Sequence, residues 1–297
     1  MKTSIGFVGL GLMGTPMATR LRKAGFPLAA YNRTKKKSLS LVEAGAMWCA
    51  SPKEVAERSE IVISMLSNSE ALSECALGNN GVLTGVQKGS VHVDMSTVSP
   101  AITKELGKRY RKAGCSFLHS PVLGSVPQAT DGSLLLFVGG DEVAYLRAES
   151  VLKTLSSNIW RFKKPEQASH MKLLCNMFIA GMGATLAQAL VYAKKADVDP
   201  YVLLDVLNHS ALNAPMYQTK GKSILERNFV PRFFVEHMLK DINLMLQAGK
   251  DIDVPLPSTE AAQKLFAEAA QAGFLKEDYS AVIKVLERRA GIEAGSK

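Results

Sequence analysis

Cysteine is scarce in this chain of 297 residues, and its four cysteines are scattered. They form no Cys-x-x-Cys pair and share no metal-ligand spacing with histidines, which argues against a disulfide framework and against a metal site. We read them as reduced, mostly buried thiols, and this reading predicts a cytoplasmic location. The N-terminus enters an apolar strand almost at once, so we expect no signal or transit peptide. We also expect no transmembrane segment, because no apolar run of about 20 residues stands out.

Acidic residues are outnumbered, since 36 lysines and arginines face 27 aspartates and glutamates and leave a net charge of +9. The positive residues do not gather into one long run, and no nucleic-acid-binding motif accompanies them. A diffuse basic surface that faces small anions explains the charge as well as nucleic acid would. We therefore predict a small-molecule partner and neither a nucleic-acid nor a membrane partner.

A glycine motif follows the first predicted strand. The apolar residues 4–8 lead into Gly-Leu-Gly-Leu-Met-Gly, after which helical spacing begins. Strand, G-x-G-x-x-G and helix in this order are typical of a dinucleotide-binding fold. Gly9 permits the tight turn, Gly11 lets the backbone approach a pyrophosphate, and Gly14 lets helix and strand pack closely. The predicted cofactor contacts in this loop are Gly9, Gly11, Leu12, Met13 and Gly14.

The end of the second predicted strand, residues 28–31, indicates which dinucleotide binds. An NAD-binding chain usually places a carboxylate there to hold the ribose 2′-hydroxyl, whereas this chain has Asn32, Arg33 and Thr34. An arginine can stack on adenine and bind a 2′-phosphate, and no carboxylate repels that phosphate. We therefore predict NADP(H), with all three residues in contact with it. The lysines at 35–37 can instead be a solvated helix start, which we accept for Lys36.

Two further predicted strands, residues 60–66 and 90–95, end in segments where a ligand would lie, because open parallel sheets bind ligands at the carboxyl ends of their strands. A later loop, Gly124-Ser125, offers backbone N–H groups and a hydroxyl suited to a small carboxylate. Taken alone, each of these loops is explained more simply as an ordinary turn than as a binding site. The predicted nicotinamide neighbours are Met65, Leu66 and Thr97, and the predicted substrate neighbours are Ser96, Gly124 and Ser125.

Strand patterns end near residue 162, and helical patterns fill the rest of the chain. This order predicts an α/β Rossmann domain with a doubly wound, mostly parallel sheet in residues 1–165, followed by an all-α domain in residues 166–297. The second domain begins with a long helix from about residue 167. That helix is apolar nearly all round, which predicts burial.

Lys172 and Asn176 lie one turn apart on this long helix and so project from one face. Burying an ammonium group without a partner is expensive, so the lysine needs an explanation. Either it extends its head to water near the helix start, or it is a proton donor with Asn176 as a hydrogen-bonding partner. A lysine acting at neutral pH needs its pKa lowered towards ~7–8. The histidines are scattered and form no catalytic pair with an aspartate, so Lys172 is the candidate proton donor, and both explanations stay open on these residues alone.

Five motifs in order make the chain resemble the β-hydroxyacid dehydrogenase family, which includes 3-hydroxyisobutyrate dehydrogenase, tartronate semialdehyde reductase and 6-phosphogluconate dehydrogenase. The resemblance covers essentially the whole length. The motifs are the glycine loop, Asp-Met-Ser-Thr at 94–97, Pro-Val-Leu-Gly-Ser at 121–125, Lys172 with Asn176, and Lys240-Asp241. The glyoxylate/succinic semialdehyde reductase branch is resembled in particular, through residues 32–34, Gly124-Ser125, Phe233, His237 and residues 278–283.

The resemblance implies a role for each matching position. Lys172 matches the catalytic lysine, and Asn176 matches the asparagine that binds and orients the substrate. Lys240 matches a cofactor-contacting lysine, and Asp241 matches its structural or substrate-side neighbour. Phe233 matches a residue that lines the substrate pocket. The segments at 96–97 and 124–125 match the loops beside the substrate carboxylate and the nicotinamide, and the family implies a homodimer or homotetramer.

The chain departs from the family pattern at two places, and it also lacks a basic loop after Ser125 that a sugar phosphate would need. Leu123 stands where the family usually has serine, and the missing hydroxyl should weaken binding of a compact polar acid by ~1 kcal/mol. Cys175 stands where many members carry a second asparagine, although the reductase branch tolerates an apolar residue there. Residues 126–128 (Val-Pro-Gln) replace a basic loop, which argues against a sugar phosphate such as 6-phosphogluconate.

Together these features predict an NADPH-dependent reductase of a small aldehyde acid: glyoxylate, succinic semialdehyde or a 3-oxo acid. Hydride would come from the nicotinamide and the proton from Lys172. Three alternatives stay open: a 3-hydroxyisobutyrate-type dehydrogenase working in the oxidative direction, an imine reductase favoured by Leu123, and a non-catalytic binding module. The last is disfavoured because Lys172 and Asn176 are both present.

Overall fold

The computed structural model describes residues 2–295 and divides into two compact units, Met1–Lys172 and Leu173–Lys297. The predicted boundary at residue 165 lies seven residues before this division. The first two turns of the long helix belong to the first unit because they pack against it. The hydroxyls of Thr103 and Ser169 lie 2.9 Å apart, and a methyl group on Gly107 would lie 3.3 Å from Pro165.

The described part of the first unit is built on one sheet of nine strands, in the order β3-β2-β1-β4-β5-β6-β8-β7, with β9 paired to β8. The strands are β1 (Ile5–Val8), β2 (Leu28–Tyr31), β3 (Met47–Trp48), β4 (Ile61–Ser64), β5 (Val91–Asp94), β6 (Ser116–His119), β7 (Val122–Leu123), β8 (Leu134–Gly139) and β9 (Ser156–Phe162). Strands β3 to β6 run parallel along this order, β8 is antiparallel to β6 and β7, and β9 is parallel to β8.

Helices cover both faces of this sheet, so its central strands are buried on both sides. Ile5 and Phe7 belong to the core of one face together with Ile63, while Val8 and Val62 belong to the core of the other. The helices are α1 (Gly14–Lys23), α2 (Leu39–Glu43), α3 (Pro52–Glu57), α4 (Ser69–Leu77), α5 (Val82–Gly85), α6 (Pro100–Lys112), α7 (Val126–Asp131) and α8 (Glu142–Leu155), with a 3₁₀ turn at Lys35–Ser38. The predicted doubly wound, mostly parallel Rossmann sheet is confirmed.

The second unit is helical, and its described residues form no strand beyond one isolated bridge between Phe234 and Asp278. The helix α9 (Pro165–Lys195) crosses the division between the units. The remaining helices are α10 (Pro200–His209), α11 (Pro215–Leu225), α12 (Val235–Lys250), α13 (Pro257–Gln271) and α14 (Ile283–Ala290), with a 3₁₀ turn at Tyr279–Val282. Their apolar faces enclose one core that includes Leu190, Met238 and Phe266. The predicted all-α second domain is confirmed.

One expectation about α9 was wrong, and the reason given for expecting no transmembrane segment does not hold. The helix is not buried all round, because Phe178 is 71% exposed and Tyr192 is 77% exposed. It is also long and apolar enough, by length and composition, to cross a membrane. Residues 173–193 carry no charged side chain, and the interspersed polar residues hid this run from the sequence analysis. A core helix of a soluble protein passes the same test, so this single helix is weak evidence for a membrane segment.

Candidate active site

The glycine loop between β1 and α1 shows why its three glycines are there. Gly9 has φ +98°, and a Cβ on it would lie 2.3 Å from the Met65 carbonyl oxygen. A Cβ on Gly14 would lie 1.9 Å from the Gly9 carbonyl oxygen, so the fold itself excludes side chains at both positions. A Cβ on Gly11 would meet no atom of the described residues within 4 Å. Gly11 therefore exposes open backbone to which a phosphate can come close.

Asn32 fastens this loop to the segment after β2. Its Oδ1 accepts a hydrogen bond from the Leu10 backbone N–H at 2.9 Å, and its Nδ2 donates to the Thr34 carbonyl at 3.0 Å. The side-chain amide predicted to contact the cofactor thus uses one donor and one acceptor inside the protein and keeps a second N–H for a cofactor. Arg33 is exposed, and no carboxylate of the described residues lies within 4 Å of it, whereas Lys35 lies 4.0 Å over the Trp48 ring. Arg33 can therefore meet a phosphate.

Ser96 connects the two loops that follow β4 and β5. Its Oγ accepts a hydrogen bond from the Leu66 N–H at 2.8 Å and donates to Asp94 Oδ1 at 2.7 Å. The side chain is completely buried. The prediction that Ser96 contacts the substrate therefore needs correction, because its hydroxyl already has partners within the protein. It is a residue that holds the Leu66 backbone in place, while Met65, Leu66 and Thr97 stay at the strand ends as predicted.

A chain of buried hydrogen bonds extends from Asp94 into the sheet. The Ser64 hydroxyl donates to Asp94 Oδ1 at 2.7 Å and lies 2.9 Å from His92 Nε2. His92 Nδ1 lies 2.6 Å from the Tyr110 hydroxyl. Because the Ser64 proton goes to the carboxylate, Ser64 accepts from His92 Nε2–H, and His92 Nδ1 accepts from Tyr110. This network assigns a neutral His92 with the proton on Nε2.

The pKa values of this cluster follow from its burial. Burial lowers the pKa of His92 to about 4, although the Asp94 charge opposes that shift. For Asp94, burial raises the pKa, but the interaction with the adjacent His119 ring and the hydrogen bonds from Ser96 and Ser64 outweigh it and leave the pKa below its ordinary value. Asp94 is therefore an ionised carboxylate at the carboxyl edge of the sheet, where it accepts hydrogen bonds from Ser64 and Ser96.

Strand register brings the cluster together. Ser64 on β4 pairs with Asp94 on β5, and Asp94 pairs with His119 on β6. His119 Nδ1 lies 3.1 Å from Asp94 Oδ2, but the two atoms are not aligned for a hydrogen bond. The histidines look scattered along the sequence, so this cluster was not predicted. The available signal was polar residues at the ends of three consecutive apolar strands.

The loop after β7 carries the predicted carboxylate site. Gly124 has φ +140°, a conformation that favours glycine. The Ser125 N–H donates to the Gln128 side chain at 3.0 Å, and the buried Ser125 Oγ faces the Gln128 backbone N–H in a capping box without reaching full hydrogen-bond geometry. A buried hydroxyl without a partner is costly unless a ligand or water satisfies it. Leu123 pairs with Leu135 in the β7–β8 ladder and is half-buried.

The two residues predicted to be catalytic lie on α9, and both are buried. Lys172 is only 8% exposed, which argues against a lysine that extends its head to water. One turn later, Asn176 Nδ2 donates to Asp241 Oδ2 at 2.6 Å. Asp241 Oδ1 lies 2.7 Å from Lys240 Nζ, a paired charge without the alignment of a hydrogen bond. Asp241 thus holds the Asn176 amide, and Lys240 balances the Asp241 charge.

Phe233 lies among aromatic side chains before and within α12. Its ring centroid lies 6.1 Å from Tyr279 and 6.1 Å from His237. Burial lowers the pKa of His237, with smaller opposing effects from nearby carboxylates, so a neutral ring is favoured beside the phenyl groups. The buried Asp278 accepts the Arg232 N–H at 3.0 Å and so fixes the segment that carries Phe233. The segment at 278–283 acts here as an anchor for this predicted pocket residue.

Comparison with known proteins decides the family. Residues 4–162 match the NAD binding domain of 6-phosphogluconate dehydrogenase, and residues 167–286 match the NAD-binding domain of NADP-dependent 3-hydroxyisobutyrate dehydrogenase. The chain belongs to the β-hydroxyacid dehydrogenase family. This confirms the family resemblance and makes the chain an NAD(P)-dependent oxidoreductase of a hydroxyacid dehydrogenase type.

Individual β-hydroxyacid dehydrogenases are similar over nearly the whole chain. Glyoxylate/succinic semialdehyde reductase 2 of Arabidopsis thaliana is 36% identical over 291 residues, which are 98% of this chain and 81% of that protein. L-threonate dehydrogenase of Cupriavidus necator is 32% identical over 298 residues, 100% of this chain and 99% of that protein. The solved structure of Mycobacterium tuberculosis 3-hydroxyisobutyrate dehydrogenase with L-serine has a TM-score of 0.88 at 28% identity, and covers 96% of this chain and 99% of that one.

Proposed function

We propose that this chain is an NADPH-dependent reductase of a small aldehyde acid, with glyoxylate, succinic semialdehyde and 3-oxo acids as the candidate substrates. The observation that carries the proposal is the buried Lys172, followed one turn later by an asparagine that Asp241 holds in place. Similarity to the glyoxylate/succinic semialdehyde reductase supports the substrate class.

A bound nicotinamide supplies the hydride for this reaction. The chain supplies the proton: Lys172 donates it from Nζ to the carbonyl oxygen, where negative charge grows. Asn176 gives one N–H to Asp241 and keeps a second N–H and its carbonyl oxygen for the substrate. The substrate carboxylate is assigned to Gly124 and Ser125, because the Ser125 O–H has no acceptor among the described residues.

The preference for NADPH rests on the segment after β2. Arg33 is exposed, no described carboxylate lies within 4 Å of it, and no acidic residue stands at the end of β2 to repel a 2′-phosphate. The glycine loop fits a pyrophosphate because the space beside Gly11 is empty, whereas other atoms of the protein fill the space beside Gly9 and Gly14. The residues of the first unit therefore fit the adenine half of the dinucleotide.

A substrate panel tests the proposal. Loss of the nicotinamide absorbance is followed with NADPH and NADH in parallel, for glyoxylate, succinic semialdehyde, tartronate semialdehyde, methylmalonate semialdehyde and a cyclic imine. We expect an aldehyde acid to react, with NADPH well ahead of NADH. Turnover of the imine alone would replace the proposal by an imine reductase, the candidate that the apolar Leu123 favours.

The oxidative direction is the second candidate, and similarity to L-threonate dehydrogenase and 3-hydroxyisobutyrate dehydrogenase favours it. The same enzyme preparation is therefore given 3-hydroxyisobutyrate, L-threonate and L-serine with NADP⁺. A higher kcat/KM in this direction at neutral pH, for any of the three, would overturn the reductase assignment and leave the cofactor assignment intact.

We also propose a homodimer or homotetramer in the cytoplasm, without a nucleic-acid or membrane partner. Leu174, Phe178 and Tyr192 are exposed on α9, and Tyr201 and Val206 are exposed on α10. Apolar surface of this extent marks an interface more often than plain solvent-exposed surface. Light scattering of Phe178→Glu against wild type tests this. We expect the Phe178→Glu variant to form a smaller particle than wild type. A wild-type protein that is monomeric and partitions into lipid vesicles would contradict the proposal. Cell fractionation tests the cytoplasmic location.

A further inference from the structure

A cavity of about 440 Å³ lies in the first unit, on the edge of the sheet where β6 begins and β8 ends. Ser116 and Phe117 open β6 there, and Gly140 follows β8. Because β1, β4, β5 and β6 run parallel, the glycine loop and the Ser96 loop lie at the other edge. The cavity is therefore separate from the residues assigned to the cofactor, and its volume lies in the range of small-molecule sites.

Positive charge dominates the lining of this cavity. Three cations come from α6 and two from the connection between β9 and α9, whereas two carboxylates, Asp141 and Glu166, also line it. Asp141 caps α8 by accepting the Ala144 N–H at 3.1 Å, and Glu166 lies in the first turn of α9. The five cations are Lys104, Lys108, Arg111, Lys163 and Lys164.

None of these five cations has a carboxylate within 4.0 Å among residues 2–295. The contrast lies on the same helix, where Arg109 binds Glu105 at 2.7 Å on another face. Like charges one turn apart repel, so Lys104, Lys108 and Arg111 repel one another along α6, and Lys163 and Lys164 add two more positive charges to the same cavity. An anion in the cavity would remove that repulsion.

The spacing of the cations indicates the shape of the anion. Lys104, Lys108 and Arg111 follow one another at intervals of four and three residues, so they share a face of α6. Lys104 and Arg111 lie about 10 Å apart along the helix axis. A single carboxylate reaches one or two of these groups, whereas a chain of linked phosphates can reach all three and the lysines opposite them.

We propose that this cavity, which we call the α6 basic cavity, binds an oligophosphate. The linked phosphates pair with the cations of α6 on one side and with Lys163 and Lys164 on the other. The dipole of α9 adds a partial positive charge on that side, because the helix begins there. The phosphate chain can be inorganic or can belong to a nucleoside triphosphate, since both present the same charges.

Isothermal titration calorimetry with sodium tripolyphosphate at low ionic strength tests the proposal. We compare wild type with a triple variant, Lys104→Ala, Lys108→Ala and Arg111→Ala. At about threefold per exposed cation, the triple variant should bind about thirtyfold more weakly. The matched control, Lys23→Ala, Arg109→Ala and Lys112→Ala, removes the same charge from exposed positions outside the cavity and should stay within about threefold of wild type.

Three further arms make the result decisive. ATP and adenosine separate the two sources. Equal binding of ATP and tripolyphosphate means that only the phosphates are recognised. Tighter binding of ATP that Arg33→Ala keeps and the triple variant loses means that a nucleotide is the ligand of the cavity. Arg33→Ala should leave tripolyphosphate binding unchanged, and loss of binding in that variant would place the anion in the cofactor site instead. No heat with wild type, or equal weakening by the control variant, would overturn the proposal. Because the readout is binding, a failed substrate assay does not affect it.

Discussion

His92 allows a quantitative prediction about acid stability. Its neutral form is built into the sheet, because Tyr110 donates to one ring nitrogen and the other donates to Ser64. Protonation would place two donors at the Tyr110 contact inside a fully buried cluster. The pKa of about 4 in the folded protein therefore lies below the ordinary value of 6.5 that applies after unfolding.

The sign of the effect follows from that depression. The unfolded chain takes up a proton as the pH falls through 6.5, and the folded chain does so only near pH 4, so stability is lost between these values. Linkage gives a loss of about 2 kcal/mol between about pH 7.5 and about pH 5. Most aspartates and glutamates stay ionised in both states over most of this window, so histidines dominate the change.

Urea unfolding across that pH range is the assay, with wild type and His92→Gln compared. We expect the free energy of unfolding of wild type to fall by about 2 kcal/mol more than that of the variant. His237→Gln is a useful second variant, because burial also lowers the pKa of His237 and its share must be separated. His209→Gln, at an exposed position, is the control. If the free energy of unfolding depended equally on pH in wild type and His92→Gln, the assignment of a neutral His92 in the folded protein would be refuted.

Three other predictions concern the site. Gly14→Ala should lower stability by about 2 kcal/mol, because its methyl group would lie 1.9 Å from a backbone oxygen. Gly11→Ala, which has open space for a methyl group, should keep its melting temperature and lose NADPH affinity. Thermal unfolding and cofactor titration measure both variants. Asp241→Ala should cost about 2 kcal/mol of stability in denaturant and lower turnover by releasing Asn176, and Asp241→Asn, which keeps an acceptor, should recover most of both. Arg33→Ala should raise the KM for NADPH about thirtyfold and leave NADH unchanged in steady-state kinetics; equal changes for both cofactors would contradict the 2′-phosphate assignment.

The features that the sequence predicted correctly depend on residues that are close together in the chain. The glycine loop depends on residues close together in the chain, and its spacing, strand and helix were all visible. The order of strands and then helices likewise placed the two kinds of domain. Helices α3 and α6 were not predicted, although Ser51 and Ser99, each followed by proline, are visible N-cap signals.

Long-range pairing accounted for what the sequence did not predict. Ser96 reads as a free hydroxyl in a loop until the register of β4 against β5 sets it between Leu66 and Asp94, thirty residues and two residues away in the chain. The pairing of β4, β5 and β6 likewise brings His119 beside Asp94 and His92 beside Ser64. The exposed side of α9 was likewise hidden, because an apolar helix looks the same in sequence whether a core or another surface covers it.

The most direct test of the account is the pair Lys172→Ala and Lys195→Ala, where Lys195 is an exposed lysine of the same helix. Turnover of the aldehyde acid and the Kd for NADPH are measured for both. The account predicts that Lys172→Ala loses about 10²- to 10⁴-fold in kcat and keeps its NADPH affinity, while Lys195→Ala resembles wild type. A Lys172→Ala enzyme that turns over within about tenfold of wild type would contradict the assignment of Lys172 as the proton donor.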